Sequence, residues 1–177
     1  DNDDDDEFAA NANKCFRKYW SNGNDGQSPA SFLRLKPFQL SAIRALLQTG
    51  RDALVVSRTG SGKSVCFQLP PLMNIGAGRI RAVAIVISPL ISLMRDQCMS
   101  LQAKGIHAEY LGSGQADPLA ESRAFDGSTS VVYCCPETLG RLGPKLKRLH
   151  DELHKTNGSS SPSSLRMILA VDECHCV

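Results

Sequence analysis

The sequence predicts an α/β fold, a doubly wound and mostly parallel sheet with helices on both faces. Two observations support this prediction. Apolar runs of strand length alternate with segments of helical periodicity along most of the chain. Most of these runs are continuously apolar, which is typical of strands buried on both faces of a parallel sheet. Right-handed crossovers then bring the carboxyl ends of the strands to one edge, where ligands bind in such folds.

The predicted elements follow one another from Leu35 onwards. Strands are predicted from short apolar runs at residues 53–56, 82–87, 107–111, 130–134 and 165–171. Helices are predicted from helical spacing of apolar residues and from bounding Pro and Gly residues, at 37–49, 62–69, 90–103, 117–125 and 136–153. The Gly-, Ser- and Pro-rich residues 156–164 are predicted to form a flexible loop.

Charge divides the chain into a leader and a folded part. Residues 1–30 hold seven acidic and three basic side chains, and the remainder holds eleven acidic and seventeen basic ones. Residues 1–31 are predicted to be a mostly disordered acidic leader, because they offer few apolar groups for burial. The aromatic patch from Phe16 to Trp20 would either pack on the domain or bind a partner. The basic remainder fits a phosphate-rich partner or an ordinary solvated surface.

The composition excludes several classes of protein. With 42% hydrophobic and 21% charged residues, the chain of 177 residues is typical of one globular domain. Its seven cysteines are odd in number and contain no paired CxxC motifs, so we expect reduced thiols and no zinc site. No apolar run is long enough to span a membrane.

A glycine-rich segment follows the first predicted strand and opens a helix. It consists of Ser57, Arg58, Thr59, Gly60, Ser61, Gly62, Lys63 and Ser64. Glycines allow such a loop to turn its N–H groups inward, and the helix start favours an anion. Lys63 can reach the outer phosphates of a nucleotide, and the Ser64 hydroxyl can bind the magnesium that bridges them. The segment therefore predicts a phosphate loop.

The last predicted strand runs directly into two carboxylates, Asp172 and Glu173. A carboxylate at the end of a buried strand can hold magnesium directly or through water, and we assign that role to Asp172. We assign to Glu173 the role of catalytic base for the attacking water, with Lys63 as the catalytic cation. We call Asp172 and Glu173, with the two residues that follow them, the acidic box. Together the phosphate loop and the acidic box predict ATP and Mg²⁺ as cofactors, held at one shared triphosphate. His175 would couple the nucleotide state to other parts of the molecule.

Four stretches of the sequence resemble the RecQ-type branch of the superfamily-two DNA helicases. They are LKPFQLSAI at 35–43, SRTGSGKSVCFQLP at 57–70, SPLISLMRDQ at 88–97 and DECHC at 172–176. The stretch YCCPETL at 133–139 is a weaker fifth match. The Ser/Pro-rich stretch before the last strand resembles an insertion, as in a plant RecQ-like variant with an interrupted helicase domain.

The resemblance implies a RecA-like lobe of a P-loop NTPase that unwinds DNA from 3′ to 5′ in nuclear recombination and repair. Gln39 would hydrogen-bond adenine, with Lys36 also at the nucleotide. Single-stranded DNA and duplex junctions would be the partners, and a DNA contact would lie at Pro89, Leu90, Ser92 and Arg95. Such contacts go mostly to the backbone and carry no sequence choice.

The resemblance also implies that residues 32–177 are the N-terminal part of a helicase ATP-binding domain, an incomplete first lobe that stops after the acidic box. The second RecA-like lobe with its arginine fingers would be missing, so we expect the isolated chain to bind ATP weakly and not to unwind DNA. The strand after the box would pair with residues 53–56. Without it, we expect an unpaired apolar edge that favours aggregation.

The sequence departs from the usual family pattern at Lys36, where Arg is usual, at Phe38, at Arg58 and at Cys174. Two other functions stay open. A DEAD-box RNA helicase shares the loop and box, but would carry a PTREL-like segment in place of SPLISLMRDQ and DEAD in place of DECH. A truncated nucleotide-binding protein without activity is the non-enzymatic alternative. A small-molecule kinase is disfavoured, because no substrate-binding element is evident.

Overall fold

The structure is a computed structural model that describes residues 2–21, 33–73, 82–155 and 166–173. These residues form two compact units, Asp1–Met73 and Asn74–Val177. The predicted loop at 156–164 and the end of the acidic box, with His175, lie outside the described residues. No helix in the described ranges is both long and apolar enough to cross a membrane.

The first unit is helical. Its elements are α1 (Asn2–Trp20), α2 (Pro37–Arg44) with a π-helical turn (Ala45–Thr49), α3 (Val65–Gln68) and a 3₁₀ turn (Pro70–Leu72). The predicted helix over 37–49 is confirmed, and it ends at Gly50 in the left-handed conformation. The helix predicted over 62–69 is shorter than expected, because residues 63–64 form a turn ahead of α3.

The expectation of a disordered leader is wrong for Asn2–Trp20, which form α1. The side chains of Phe8, Ala12 and Phe16 are buried, and their spacing of four residues places them on one face of the helix. The prediction failed because overall composition conceals such a stripe. Of the two interpretations of the aromatic patch, packing is observed: the Phe16 ring is buried and stacks on Trp20 at 5.4 Å between centroids.

The prediction of a strand at residues 53–56 is also wrong, because residues 51–58 form neither helix nor strand. The side chains of Leu54 and Val56 are 83% and 88% exposed. A strand exists only where its backbone groups pair with a neighbouring strand. None of the described strands pairs with this segment.

The second unit contains the sheet. Its strands are β1 (Ala82–Ile87), β2 (Ala108–Leu111), β3 (Val131–Cys134) and β4 (Arg166–Val171), and its helices are α4 (Ile91–Ala103), α5 (Ala120–Ala124) and α6 (Pro136–Lys155). The strand order is β2-β3-β1-β4, and all three pairings are parallel. The sequence predicted every one of these strands and helices to within a few residues.

Helices cover both faces of this sheet, as the fold prediction requires. On one face α5 and α6 pack on alternate strand residues in a cluster that includes Ile85, Val132 and Leu142. On the other face lies α4, whose Cys98 Sγ donates to the Ala108 carbonyl at 3.2 Å. The α/β class with a parallel sheet is therefore confirmed, and the continuous burial of β1 explains why its sequence is apolar throughout.

Candidate active site

The glycine-rich loop in the first unit bends at Gly60 and Gly62, which have φ angles of 74° and 87°. Residues other than glycine rarely adopt positive φ angles of this size. At Gly62 the space is closed as well, since a Cβ atom there would lie 2.8 Å from Nε2 of Gln39. The loop therefore requires glycine at this position for two independent reasons.

Gln39 joins the segment before the loop to the loop itself. Its side chain is buried, its Oε1 accepts the N–H of Lys36 at 2.8 Å, and its Nε2 donates to the Gly62 carbonyl at 2.8 Å. The Lys36 ammonium donates to the Ser61 carbonyl at 2.8 Å. Both residues that the resemblance assigns to the adenine side thus contact the glycine turn directly. Their predicted contacts with adenine stay a prediction.

The Lys63 ammonium lies over the loop's own backbone. It donates to the carbonyls of Ser57 and Arg58 at 2.8 and 3.2 Å. The Ser61 hydroxyl is buried without a hydrogen-bond partner among the described residues. A half-buried ammonium, a buried hydroxyl in need of a partner and a turn with glycine at positions 60 and 62 fit the outer phosphates of a nucleotide. Arg58 and Thr59 are exposed at the rim, and Ser64 is half-buried.

The acidic box in the second unit begins where β4 ends. Asp172 is buried, and its N–H donates to the Ile87 carbonyl at 2.8 Å, which extends the pairing of β4 with β1 by one residue. Its carboxylate accepts the N–H of Glu173 at 3.2 Å and Nε2 of Gln97 at 3.2 Å. The side chain is thus held in one orientation at the carboxyl edge of the sheet. Such a fixed carboxylate is suited to binding magnesium.

Glu173 has a φ angle of 53°, and no other residue except glycine has a positive φ in the described part of the chain. A bulky residue in this left-handed region costs roughly 1–2 kcal/mol, and such strain is concentrated at functional sites. The sequence contained no signal for this backbone conformation.

Gln97 and Tyr133 are further residues of this site, and neither was predicted from the sequence as a site residue. Gln97 lies three residues after Met94 and one before Cys98, so it belongs to the side of α4 that faces the sheet. Its Oε1 accepts the hydroxyl proton of Tyr133 at 3.0 Å. A polar residue on the apolar face of a predicted helix was the signal that could have indicated a role.

The residues assigned to nucleic acid lie at the beginning of α4, at the same edge of the sheet as Asp172. Pro89 is half-buried, Leu90 is 51% exposed, and Ser92 and Arg95 are exposed. The Ser88 hydroxyl just before them is buried without a partner among the described residues. These positions are open to a ligand, while contact with DNA stays a prediction. The shared triphosphate between the loop and the box also stays a prediction.

Residues 36–177 match the family model of the DEAD/DEAH box helicase. The chain is 43% identical over 143 residues to the ATP-dependent DNA helicase Q-like SIM of Arabidopsis thaliana, covering 81% of this chain and 15% of that protein. It is 36% identical over 144 residues to the ATP-dependent DNA helicase RecQ of Haemophilus influenzae, covering 78% of this chain and 20% of that protein.

A third relative is the ATP-dependent helicase SGS1 of Saccharomyces cerevisiae, which is 38% identical over 145 residues and of which the chain covers 9%. The chain thus spans a fifth or less of the length of these three relatives. The match to the helicase model includes the phosphate loop, α4 and the acidic box. The chain therefore belongs to the DEAD/DEAH box helicase family, with relatives of the RecQ type.

Proposed function

We propose that the protein containing this chain is an ATP-dependent DNA helicase of the RecQ type, which couples ATP hydrolysis to 3′ to 5′ unwinding. The hydrogen bond from Gln39 to the Gly62 carbonyl carries the proposal, because it joins the segment assigned to adenine with the phosphate turn. The names of the relatives support DNA as the nucleic acid.

Different residues of the chain have different roles in ATP hydrolysis. Residues 57–64 hold the phosphates, and Lys63 moves from the loop carbonyls to the outer phosphates as a point charge. Ser64 and Asp172 are the residues that would hold Mg²⁺, which would neutralise developing charge. Glu173 orients the attacking water and accepts its proton. Gln39 and Lys36 contact the adenine side, and His175 passes the nucleotide state to other parts of the protein.

The first turn of α4 contacts the DNA backbone. Arg95 offers a cation to a phosphate, Ser92 a hydroxyl, and Leu90 and Pro89 an apolar surface to a sugar or base. Such contacts supply affinity without sequence preference. Single-stranded DNA and duplex junctions are the expected substrates, and the nucleus is the expected location.

Residues 32–177 form the N-terminal part of the ATP-binding domain. Unwinding then requires a second RecA-like lobe, which closes on the nucleotide and supplies transition-state charge worth about 10³–10⁵ in rate. We also expect the chain to aggregate through its exposed apolar segment, residues 53–56.

The proposal is tested with the full-length protein. Wild type should hydrolyse ATP faster in the presence of single-stranded DNA and should unwind a duplex with a 3′ tail. Lys63→Ala should abolish ATP binding, whereas Glu173→Gln should retain binding and lose hydrolysis at least about 100-fold, as general-base removal predicts. Lys104→Ala, a half-buried cation after α4, is the matched control. Stimulation by RNA and not by DNA would instead indicate an RNA helicase, and ATP binding without hydrolysis a non-enzymatic protein.

A further inference from the structure

A chain of hydrogen bonds crosses the α4 side of the sheet in the second unit. The Tyr133 hydroxyl in β3 donates to Oε1 of Gln97 at 3.0 Å. Nε2 of Gln97 donates in turn to Oδ2 of Asp172 at 3.2 Å. Three elements that are distant in sequence, β3, α4 and the turn after β4, are joined through one side-chain amide. In the strand order, β1 separates β3 from β4, so the bridge passes over the central strand.

The chemistry of these groups permits one orientation of the amide. An ionised carboxylate only accepts hydrogen bonds, so the amide nitrogen must face Asp172. The amide oxygen then faces Tyr133, whose hydroxyl must donate. Tyr133 is 0% exposed, so solvent does not compete for its hydroxyl. Gln97 is therefore held at both ends, and it holds one oxygen of Asp172.

The same helix carries the exposed first turn assigned to nucleic acid. Ser92 and Gln97 are five residues apart, about 7.5 Å along the axis at 1.5 Å per residue. The intervening turns form one continuous helix, Ile91–Ala103. A displacement of the first turn by a bound strand is thus transmitted to Gln97 as a rigid-body movement of α4.

We propose that Gln97 is a positioning residue that couples nucleic-acid contact at the first turn of α4 to the orientation of the Asp172 carboxylate. The inference rests on the proposed function. With α4 in place, the amide directs one carboxylate oxygen, and the lone pairs not used by Gln97 or by the N–H of Glu173 would be available to magnesium. When α4 moves, the direction of the Gln97 to Asp172 bond changes, and with it the rate of hydrolysis. Tyr133 acts indirectly, because its hydroxyl holds the Gln97 amide in place.

Two variants separate the two bonds of this bridge. Gln97→Glu keeps the size of the side chain and an acceptor for Tyr133, but replaces the donor to Asp172 with a repelling carboxylate. Tyr133→Phe keeps the buried ring and the bond from Gln97 to Asp172, and removes the hydroxyl that donates to Gln97. Ser100→Ala, at an exposed position of α4, is the matched control.

The experiment measures kcat and KM for ATP in the full-length protein, with and without single-stranded DNA. DNA affinity is measured by fluorescence anisotropy, and folding by thermal unfolding. For Gln97→Glu we expect the DNA-dependent increase in kcat to fall about tenfold, equivalent to about 1.4 kcal/mol in the barrier. For Tyr133→Phe the expected decrease is about threefold. DNA affinity and KM should stay within about twofold of wild type.

The outcomes distinguish this inference from the function on which it rests. A wild-type protein without DNA-dependent ATP hydrolysis overturns both. An active wild type with Gln97→Glu stimulated as strongly as Ser100→Ala overturns the coupling alone. If Gln97→Glu does not fold, the folded Tyr133→Phe variant decides, and unchanged stimulation in it rejects the inference. A uniform loss of DNA affinity would assign Gln97 to binding and also reject it.

Discussion

Gly62 shows how a single position determines the shape of the phosphate loop. Its φ angle of 87° excludes most side chains, and Nε2 of Gln39 occupies the place of a Cβ atom. Gly60 has a similar φ of 74° but nothing within 4 Å of a Cβ. A side chain at either glycine would strain the backbone, but only a side chain at Gly62 would also overlap with a neighbouring atom.

We expect Gly62→Ala to lower the free energy of unfolding by about 1–2 kcal/mol more than Gly60→Ala. Both variants strain the backbone, but only the first adds the overlap with a buried, hydrogen-bonded amide, which resembles overpacking of a core. Urea unfolding of the two variants measures the difference. Equal losses would show that Gln39 moves aside without cost.

Four cysteines with raised pKa values predict a loss of stability at alkaline pH. Burial raises the pKa of Cys15, Cys66, Cys98 and Cys134 to about 11, from an ordinary value of 9.0. Because the folded state favours the protonated thiols, their contribution is complete below pH 9 and is lost as pH rises towards 11. The free energy of unfolding should therefore decrease across this interval.

Urea unfolding at pH 8, 9, 10 and 11 measures this effect, with Cys66→Ala and Cys98→Ala as variants that reduce the slope. The same thiols should react slowly with iodoacetamide at pH 8 in the native protein and fast in urea, because the thiolate is the reactive form. Rapid alkylation of Cys66 or Cys98 without unfolding would contradict the assigned burial.

At the level of elements, α1 supports the segment that carries Gln39. Oδ1 of Asn13 accepts the N–H of Leu35 at 2.8 Å, immediately before Lys36. Asp5 pairs with Arg44 of α2 at 3.2 Å, and the Arg44 guanidinium lies over the Phe8 ring. Helix α1, which composition assigned to a leader, is thus an integral part of the first unit.

Phe16→Ala should destabilise the protein by about 3 kcal/mol, because it removes a buried ring and its stacking on Trp20. Lys14→Ala, at an exposed position of the same helix, should change stability by less than about 0.5 kcal/mol. Chemical unfolding followed by tryptophan fluorescence compares them, since Trp20 is the only tryptophan. Similar values for both variants would mean that α1 packs loosely in solution.

At the level of the whole molecule, the exposed segment 51–58 predicts self-association of the isolated chain. Leu54 and Val56 are among the most exposed large apolar side chains of the described residues. Such surface associates with a second apolar surface when it has no partner. Leu54→Lys should therefore increase the monomer fraction.

Sedimentation velocity over a tenfold range of concentration measures that fraction. Leu119→Lys is the matched control, because Leu119 is 62% exposed but belongs to the second unit. An equal effect of both substitutions would indicate a general influence of charge and not a specific surface.

Much of the second unit could be predicted from the sequence. Its strands β1 and β3 are buried throughout and continuously apolar, and Gly105 and Pro136 bound its helices, so local pattern and tertiary environment agree there. Prediction failed in the first unit for opposite reasons. Residues 53–56 have the composition of a strand but no pairing partner among the described residues, and Asn2–Trp20 have a polar composition but one apolar face.

The phosphate loop, the acidic box and the alternation of strands and helices could be predicted without a structure, because these predictions depend on residue types at fixed local spacing. The contact of Gln39 with Gly62 and the contacts of Gln97 with Tyr133 and Asp172 could be found only in the folded chain. Those contacts join residues separated by 23, 36 and 75 positions. Local periodicity carries no information on such pairs, because packing of whole elements brings them together.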